Sequence, residues 1–413
     1  MAARLAERMG RMGTEAAFRV FARAKALEAA GRDIVHLEMG EPDFPTPAFI
    51  RRAGEAAIEA GRTGYAPAAG VPALREAIAR HLHATRGLRY EPSQVVVMPG
   101  GKPVIFATYL ALVEPGDEVV YPDPGFPIFE SMTDALGAVR RPWFPGSGTA
   151  TRPDIDRLAS LLGPRTKLLV LNSPGNPTGV VYRHDELEAI ARLCVEHDVF
   201  VLSDEIYSRI LFDGAEHTSI ATFPGMAERT VLLDGFSKTW SMTGWRLGWG
   251  AAPPAVAAAF EKIMTNTTSC AVHFAQYAAL AALEGPDDEV RAMVRAFQER
   301  RDALVDGLAT LPGVTCDRPQ GSFFAFADVR GTGLDATVLA GRFLEDAGVA
   351  CVEGPAFGAG GAGHVRFSFA ADVRRIREAI TRLERLFGNT PSRGHEGRSE
   401  ARARREPGPE ALS

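Results

Sequence analysis

The sequence has no long hydrophobic run. Its longest nearly apolar stretch, residues 251–260, contains two prolines and is about half the length of a membrane span. No transmembrane helix is therefore expected, and no membrane partner. Cysteine is scarce. Cys194, Cys270, Cys316 and Cys351 lie far apart and no CxxC occurs, so neither a zinc clasp nor a thioredoxin-like pair is readable. Basic charge is not in excess: 46 Lys and Arg face 51 Asp and Glu, for a net charge of −5. That argues against a large basic face for nucleic acid and gives no pull toward an anionic membrane. The N-terminus lacks the apolar core of a secretion signal. Arg4, Arg8, Arg11 and Arg19 faintly suggest a transit peptide, but Glu7, Glu15 and the lack of serine favour the first amphipathic helix of a cytoplasmic protein.

What is present is ordinary globular composition, 46% hydrophobic and 23% charged over 413 residues, which leaves room for two or three domains. The spacing of Phe18, Phe21, Ala22 and Leu27 predicts a helix over 14–30. A short strand at 34–39, a proline-rich turn at 40–47 and helices at 48–60 and 74–85 follow. The pattern then alternates. Strands are expected at 94–98, 118–121, 167–171, 199–202, 230–233 and 247–250. Helices are expected at 102–113, 128–136 and 184–197, and through most of 254–311. Short, wholly apolar strands between helices imply an α/β unit over 48–285, a mostly parallel sheet with helices on both faces. Residues 286–388 read as a smaller α+β domain, with alternating strands at 322–329 and 364–369 and helices at 335–347 and 372–387. The segment 1–47 is expected to join that smaller domain. Residues 389–413 hold five Arg, four Glu and three Pro and read as a disordered tail.

One motif misleads. GAGGAG at 358–363 fits GxGxxG, but the dinucleotide fingerprint must follow a strand and open a helix. Here it precedes the strand-like HVRFSF, so a flexible loop is expected. His81 and His83 are two residues apart, which puts them on different faces of a helix. No metal site is expected from them.

The informative positions follow the predicted strands, where open α/β sheets hold their ligands. Gly100 and Gly101 follow the first and precede a helix, which lets backbone N–H groups approach an anion. NSPGNPTG (172–179), SDEIY (203–207) and DGFSKTWSMTGWR (234–246) follow three others. Asn176, Asp204, Tyr207, Lys238 and Arg246 therefore share one sheet edge. A lysine beside an anion site and an aspartate is what pyridoxal phosphate requires. The amine forms a Schiff base with the cofactor aldehyde, and the carboxylate keeps the ring nitrogen protonated. Arg246 and Ser237 are placed to supply phosphate contacts.

On NSPGNPTG, SDEIY, GFSKTWSMTGWRLG and HVRFSFA, in that order, the chain resembles the class I and II aminotransferases over about residues 14–388. The resemblance implies the type I pyridoxal phosphate fold and a ping-pong exchange between an L-amino acid and a 2-oxo acid. Lys238 resembles the Schiff-base lysine and proton carrier, and Asp204 the ring-nitrogen partner. Tyr207 and Asn176 resemble the groups at the ring hydroxyl. Gly100, Gly101, Lys102, Ser237 and Arg246 resemble the phosphate cup, although Gly235 stands where relatives often carry a serine. Phe126, in DPGFPIF, resembles the aromatic that stacks on the ring. Arg366, in HVRFSF, resembles the clamp for the substrate carboxylate, which the backbone at Gly40 also approaches. Tyr65, in GYAPAAG, resembles the tyrosine that reaches the neighbouring subunit's phosphate, which implies a homodimer. Lys102 also matches a lysine that meets the distal carboxylate of acidic substrates in part of the family. The alternative on the same scaffold is a carbon–sulfur β-lyase or a cyclopropane-forming synthase.

Overall fold

The structure, a computed structural model, describes residues 4–145 and 152–388. The expected tail at 389–413 lies outside the described residues. Strands run β1 (Val35–His36), β2 (Val95–Met98), β3 (Glu118–Pro122), β4 (Val139–Trp143), β5 (Thr166–Asn172) and β6 (Phe200–Asp204). They continue with β7 (Thr230–Gly235), β8 (Gly248–Ala251), β9 (Phe324–Asp328), β10 (Val349–Ala350), β11 (Val352–Glu353) and β12 (His364–Ser368). Helices begin with α1 (Glu7–Arg11), α2 (Ala16–Ala29), α3 (Ala48–Glu59), α4 (Pro72–Arg86), α5 (Lys102–Leu112), α6 (Ile128–Ala135) and α7 (Ile155–Leu161). The rest are α8 (His184–Glu196), α9 (Pro254–Thr267), α10 (His273–Glu284), α11 (Asp288–Leu308), α12 (Ala336–Glu345) and α13 (Val373–Gly388).

Seven strands form the central sheet in the order β2-β8-β7-β6-β5-β3-β4. Only β8 runs antiparallel to its neighbours, β2 and β7. The C-terminal ends of β2, β3, β5, β6 and β7 therefore share one edge. Strands such as VVVM in β2 and TVLLDG in β7 are buried along their whole length, because helices cover both faces. Phe129 and Phe260 are fully buried beneath them, each contributing about 1.5–3 kcal/mol of transfer free energy. Edge strand β4 was not anticipated. Its sequence, VRRPW, is exposed at the start and carries two arginines and a proline, so it shows no apolar run and suits an edge.

The C-terminal part holds an antiparallel sheet, β11-β12-β9. The alternation expected of β9 and β12 fails. Both are buried almost throughout, since β12 is the middle strand and α11 and α12 pack on the sheet. The strand expected at 34–39 shortens to β1, which pairs parallel with β10 through Val35↔Val349. The chain then leaves the pairing and runs into the cavity described below.

GAGGAG opens no α-helix, as expected, but it holds one 3-10 turn, Ala359–Gly361, and is not a loose loop. The N–H groups of Ala359 and Gly360 donate to the Asp123 carboxylate at 3.2 and 2.7 Å. A Cβ on Gly358 would come within 2.2 Å of Asp123 Oδ1. The glycines wrap a carboxylate of the chain itself.

Candidate active site

A cavity of about 470 Å³ opens on the sheet edge where β2, β5, β6 and β7 end. Lys238, Asp204, Tyr207, Asn176 and Ser237 line it. So do Gly101, Lys102, Phe126, Arg246, Gly40 and Arg366. Gly100 backs Arg246. Tyr65 is 87% exposed and takes no part in the cavity of its own chain.

Asn176, Asp204, Tyr207, Ser237 and Lys238 all follow or close the ends of β5, β6 and β7. After β7 the chain turns back toward β8. Gly235 is required by the β7–β8 pairing, in which it stands opposite Gly248 and a Cβ on it would lie 2.9 Å from the Gly248 Cα. The serine that the resemblance suggests at 235 has no room. Lys238 Nζ donates to the Gly40 carbonyl at 2.5 Å and sits 5.7 Å from the Phe323 ring centre. Burial pulls the Lys238 amine down to about 8. Glu41 opposes this, while the charges of Arg246, Lys102 and Arg366 assist it.

Asp204 ends β6. Burial pushes its carboxyl up to about 7, offset in part by the Ile206 N–H that donates to Oδ1 at 3.2 Å. Burial also raises the Tyr207 phenol, whose ring meets Phe323 and Phe324 edge-on at 5.3 and 5.9 Å. At the end of β2, Gly100 adopts φ +101°, and a Cβ there would lie 2.4 Å from Arg246 Nη2. Arg246 itself holds a left-handed backbone, φ +53°, which is uncommon for a non-glycine residue and concentrates at functional sites. Its Nη1 donates to the Thr243 carbonyl at 2.9 Å.

Arg366 approaches from β12. Its Nη1 donates to Asn176 Oδ1 at 3.1 Å and its Nη2 to the Glu38 carbonyl. The guanidinium lies 4.3 Å from the Phe324 ring centre. Burial lowers its pKa to about 10, so it stays cationic at neutral pH. Its Nε is buried and has no partner. Lys102 pairs with Glu15 and lies 5.8 and 5.5 Å from the ring centres of Phe18 and Phe126.

Sequence reasoning missed Glu15, Glu41 and Phe324, which also line the cavity. It read Phe18 as part of the packed face of its helix, but that ring is 55% exposed and faces the cavity. Glu15 shows in the sequence only as an acid before the first long helix, and Phe324 only as one phenylalanine in a run.

The donor set suits pyridoxal phosphate. A buried amine, a buried carboxylate that lacks a cationic hydrogen-bond partner, and an arginine beside a glycine turn converge on one space. The unpartnered Arg366 Nε adds a place for a carboxylate. Among the described residues, no cluster could hold a metal ion and no helix is long and apolar enough to cross a membrane.

The family described as aminotransferase class I and II matches residues 32–383. An aspartate aminotransferase of Geobacillus stearothermophilus is 37% identical over 93% of this chain and 99% of its own length. An arginine–pyruvate transaminase of Pseudomonas aeruginosa is 40% identical over 89% of this chain and 93% of its own. The solved aspartate aminotransferase of Thermus thermophilus with maleate superimposes with a TM-score of 0.89 at 38% identity, covering 93% of this chain and 100% of that one. The carbon–sulfur lyase alternative gains no support from these relatives. The chain belongs to the class I and II aminotransferases, enzymes that transfer amino groups with pyridoxal 5′-phosphate.

Proposed function

We propose that Lys238 is the residue that carries the proton in this aminotransferase, and that Asp204, Tyr207, Asn176, Ser237, Gly100, Gly101 and Arg246 hold the cofactor. Pyridoxal phosphate, when bound, supplies an electron-withdrawing ring that accepts the electron pair left at the substrate Cα. Lys238 Nζ, which lines the cavity, would take the Cα proton of an amino acid bound there. An amine with a pKa near 8 exchanges protons close to neutral pH, where general base catalysis works best. Asp204 pairs with the protonated ring nitrogen, and such a cationic partner draws its carboxyl back to the ionised form. Tyr207 and Asn176 hold the ring hydroxyl. Gly101, Ser237 and Arg246 hold the phosphate, and Phe126 stacks on the ring. Arg366 clamps the substrate α-carboxylate through its free Nε, beside the backbone at Gly40.

Acidic amino acids are the donor class that this cavity supports best. The carrying observation is a second cation: Lys102 lines the same cavity as Arg366, so a dicarboxylate finds a positive charge for each end. Two of the three relatives described above are aspartate aminotransferases, one solved with maleate. A second reading has its own observation. Glu15 and Glu41 also line the cavity, and one relative is an arginine–pyruvate transaminase, so a donor with a cationic side chain is the competing class.

The smaller unit over 286–388, joined by 1–47, is supported by the β1–β10 pairing. In this reading it carries Arg366 toward the cofactor on closure and excludes water. Exposed Tyr65 serves the site of a second copy, so the working unit is a homodimer.

The test is the absorption spectrum of the holoprotein with single L-amino acids and no oxo acid. A lasting shift to the shorter-wavelength amine form of the cofactor, fastest with aspartate or glutamate, is expected. Fastest reaction with arginine or lysine would favour the second reading. A transient shift that returns while pyruvate or ammonia accumulates would mean lyase chemistry. Absence of any cofactor band would overturn the assignment from Lys238 outward.

A further inference from the structure

Outside the cavity, at the same strand ends, a buried charged cluster has no part in the chemistry above. Arg86 ends α4, and its side chain is 3% exposed. Its Nε lies 2.8 Å from Glu205 Oε2, and its Nη2 lies 2.5 Å from Asp234 Oδ2 and 2.7 Å from Ser208 Oγ. Glu205 also accepts from Ser203 Oγ at 2.9 Å and Ser219 Oγ at 2.5 Å, and meets His217 Nε2 at 2.8 Å. Nη2 makes the hydrogen bonds, Nε meets Glu205 as an ion pair only, and Nη1 has no partner, so it is chiefly the two carboxylates that hold a guanidinium this deep.

The sequence positions of its partners give the cluster its meaning. Glu205 directly follows Asp204, and Ser208 directly follows Tyr207, so Arg86 grips both ends of the turn that presents those two side chains. Asp234 lies in β7, just before Ser237 and Lys238. Neither Arg86, Glu205 nor Asp234 lines the cavity, whereas Asp204, Tyr207, Ser237 and Lys238 do. One planar fork thus ties the segment holding the ring-nitrogen partner to the segment holding the lysine.

We propose that Arg86 is a positioning residue for the cofactor: it fixes the spacing between Asp204 and Lys238 from outside the cavity. This rests on the cofactor roles proposed above for those two residues. Arg86 is suited to the task because the guanidinium presents several donors in fixed directions, which a lysine does not. The substrate end of the cavity, built on Arg366 and Asn176, is held by other contacts.

The test compares Arg86→Met, Arg86→Lys and Ser208→Ala with the wild type. Cofactor affinity is read by titrating each cofactor-free protein with pyridoxal phosphate, and stability by its thermal melting. Arg86→Met is expected to weaken cofactor affinity at least tenfold. At saturating cofactor, kcat should fall similarly while KM for the amino donor stays within about twofold, because only the cofactor end is loosened. Arg86→Lys should restore part of the loss. Ser208→Ala leaves the buried charges paired and removes one tie to the turn. It should weaken cofactor affinity about threefold with an unchanged melting temperature, and it keeps the question open to test if Arg86→Met does not fold. Wild-type cofactor affinity and kcat in folded Arg86→Met, or in Ser208→Ala, would reduce Arg86 to a stabilising residue and overturn the proposal. A wild-type protein that takes up no pyridoxal phosphate would overturn the cofactor roles as well, which distinguishes the two failures.

Discussion

Lys102 and Glu15 form an ion pair inside the cavity, their side chains 42% and 22% exposed. The lysine proposed for a substrate carboxylate is therefore already held by a carboxylate of the chain. A dicarboxylate has to displace Glu15 to reach it. A partly exposed pair of this kind is worth up to about 1 kcal/mol, which is about fivefold in affinity. Glu15→Gln is expected to lower KM for aspartate and glutamate by up to about fivefold and to leave alanine unchanged. Lys102→Ala should raise KM for the acidic donors more than for alanine. Steady-state kinetics on the three donors checks both. If the donor is instead cationic, Glu15→Gln raises KM for arginine, so the sign of one measurement separates the two readings.

Asp204 ties function to stability through pH. Its carboxyl is raised from 3.8 to about 7 in the cofactor-free fold. Between those values the native state keeps a proton that the unfolded chain has lost, so stability falls as pH rises across that window. The penalty is complete above pH 7 and absent below about 4. Each pKa unit corresponds to about 1.4 kcal/mol, so the whole shift is a matter of a few kcal/mol. Cofactor-free Asp204→Asn is expected to melt several degrees above the wild type at pH 8, with a smaller gap at pH 5. The same gap at both pH values would mean that the carboxylate is not the source of the difference. The variant should also bind pyridoxal phosphate poorly, since an amide cannot neutralise the ring nitrogen's charge.

Much of this site was legible because its residues follow short apolar strands. Strand ends in a mostly parallel sheet share an edge, so Asn176, Asp204 and Lys238 could be grouped without coordinates. What the strands do not announce was harder to read. β4 is an edge strand of arginines and a proline. The direction of β8 depends on which neighbours it pairs with, and four apolar residues carry no such information. Glu15 enters the cavity because the start of α2 meets Lys102 at the start of α5, a tertiary contact with no local signal. Arg86 looks like an ordinary basic residue in a helix's last turn, where a solvated role is the default. Only the fold brings Glu205 and Asp234 to it.

Gly100 is placed between two demands. Its φ of +101° is strained for any residue with a Cβ, and that Cβ would lie 2.4 Å from Arg246 Nη2. Arg246 is the more flexible partner, so the guanidinium would shift away from the place proposed for the phosphate. Gly100→Ala is expected to destabilise the protein by about 1–3 kcal/mol and to weaken cofactor affinity at least tenfold. Titration of the cofactor-free variant with pyridoxal phosphate reads the second effect. Unchanged affinity would mean that Arg246 does not contact the phosphate.

Asp123 gives the dinucleotide-like glycine run a structural role. The carboxylate is buried, and burial raises its pKa while the N–H groups of Gly360 and Ala359 lower it. The glycines let the backbone close around it: a Cβ at Gly360 would lie 2.4 Å from the Asp123 carbonyl oxygen. Asp123 opens the loop after β3, three residues before Phe126, so this contact joins the central sheet to the segment leading into β12 and Arg366. Asp123→Ala removes the acceptor of two N–H groups, those of exposed Ala359 and half-buried Gly360, each such hydrogen bond being worth about 0.5–1.5 kcal/mol. Amide hydrogen exchange at Ala359 and Gly360 should speed up strongly, while amides in β6 and β7 keep their protection. KM for the amino donor should rise more than cofactor affinity falls, because Arg366 follows this segment and Lys238 does not. Equal loss of protection across the central sheet would show that Asp123 supports the whole fold and not this junction.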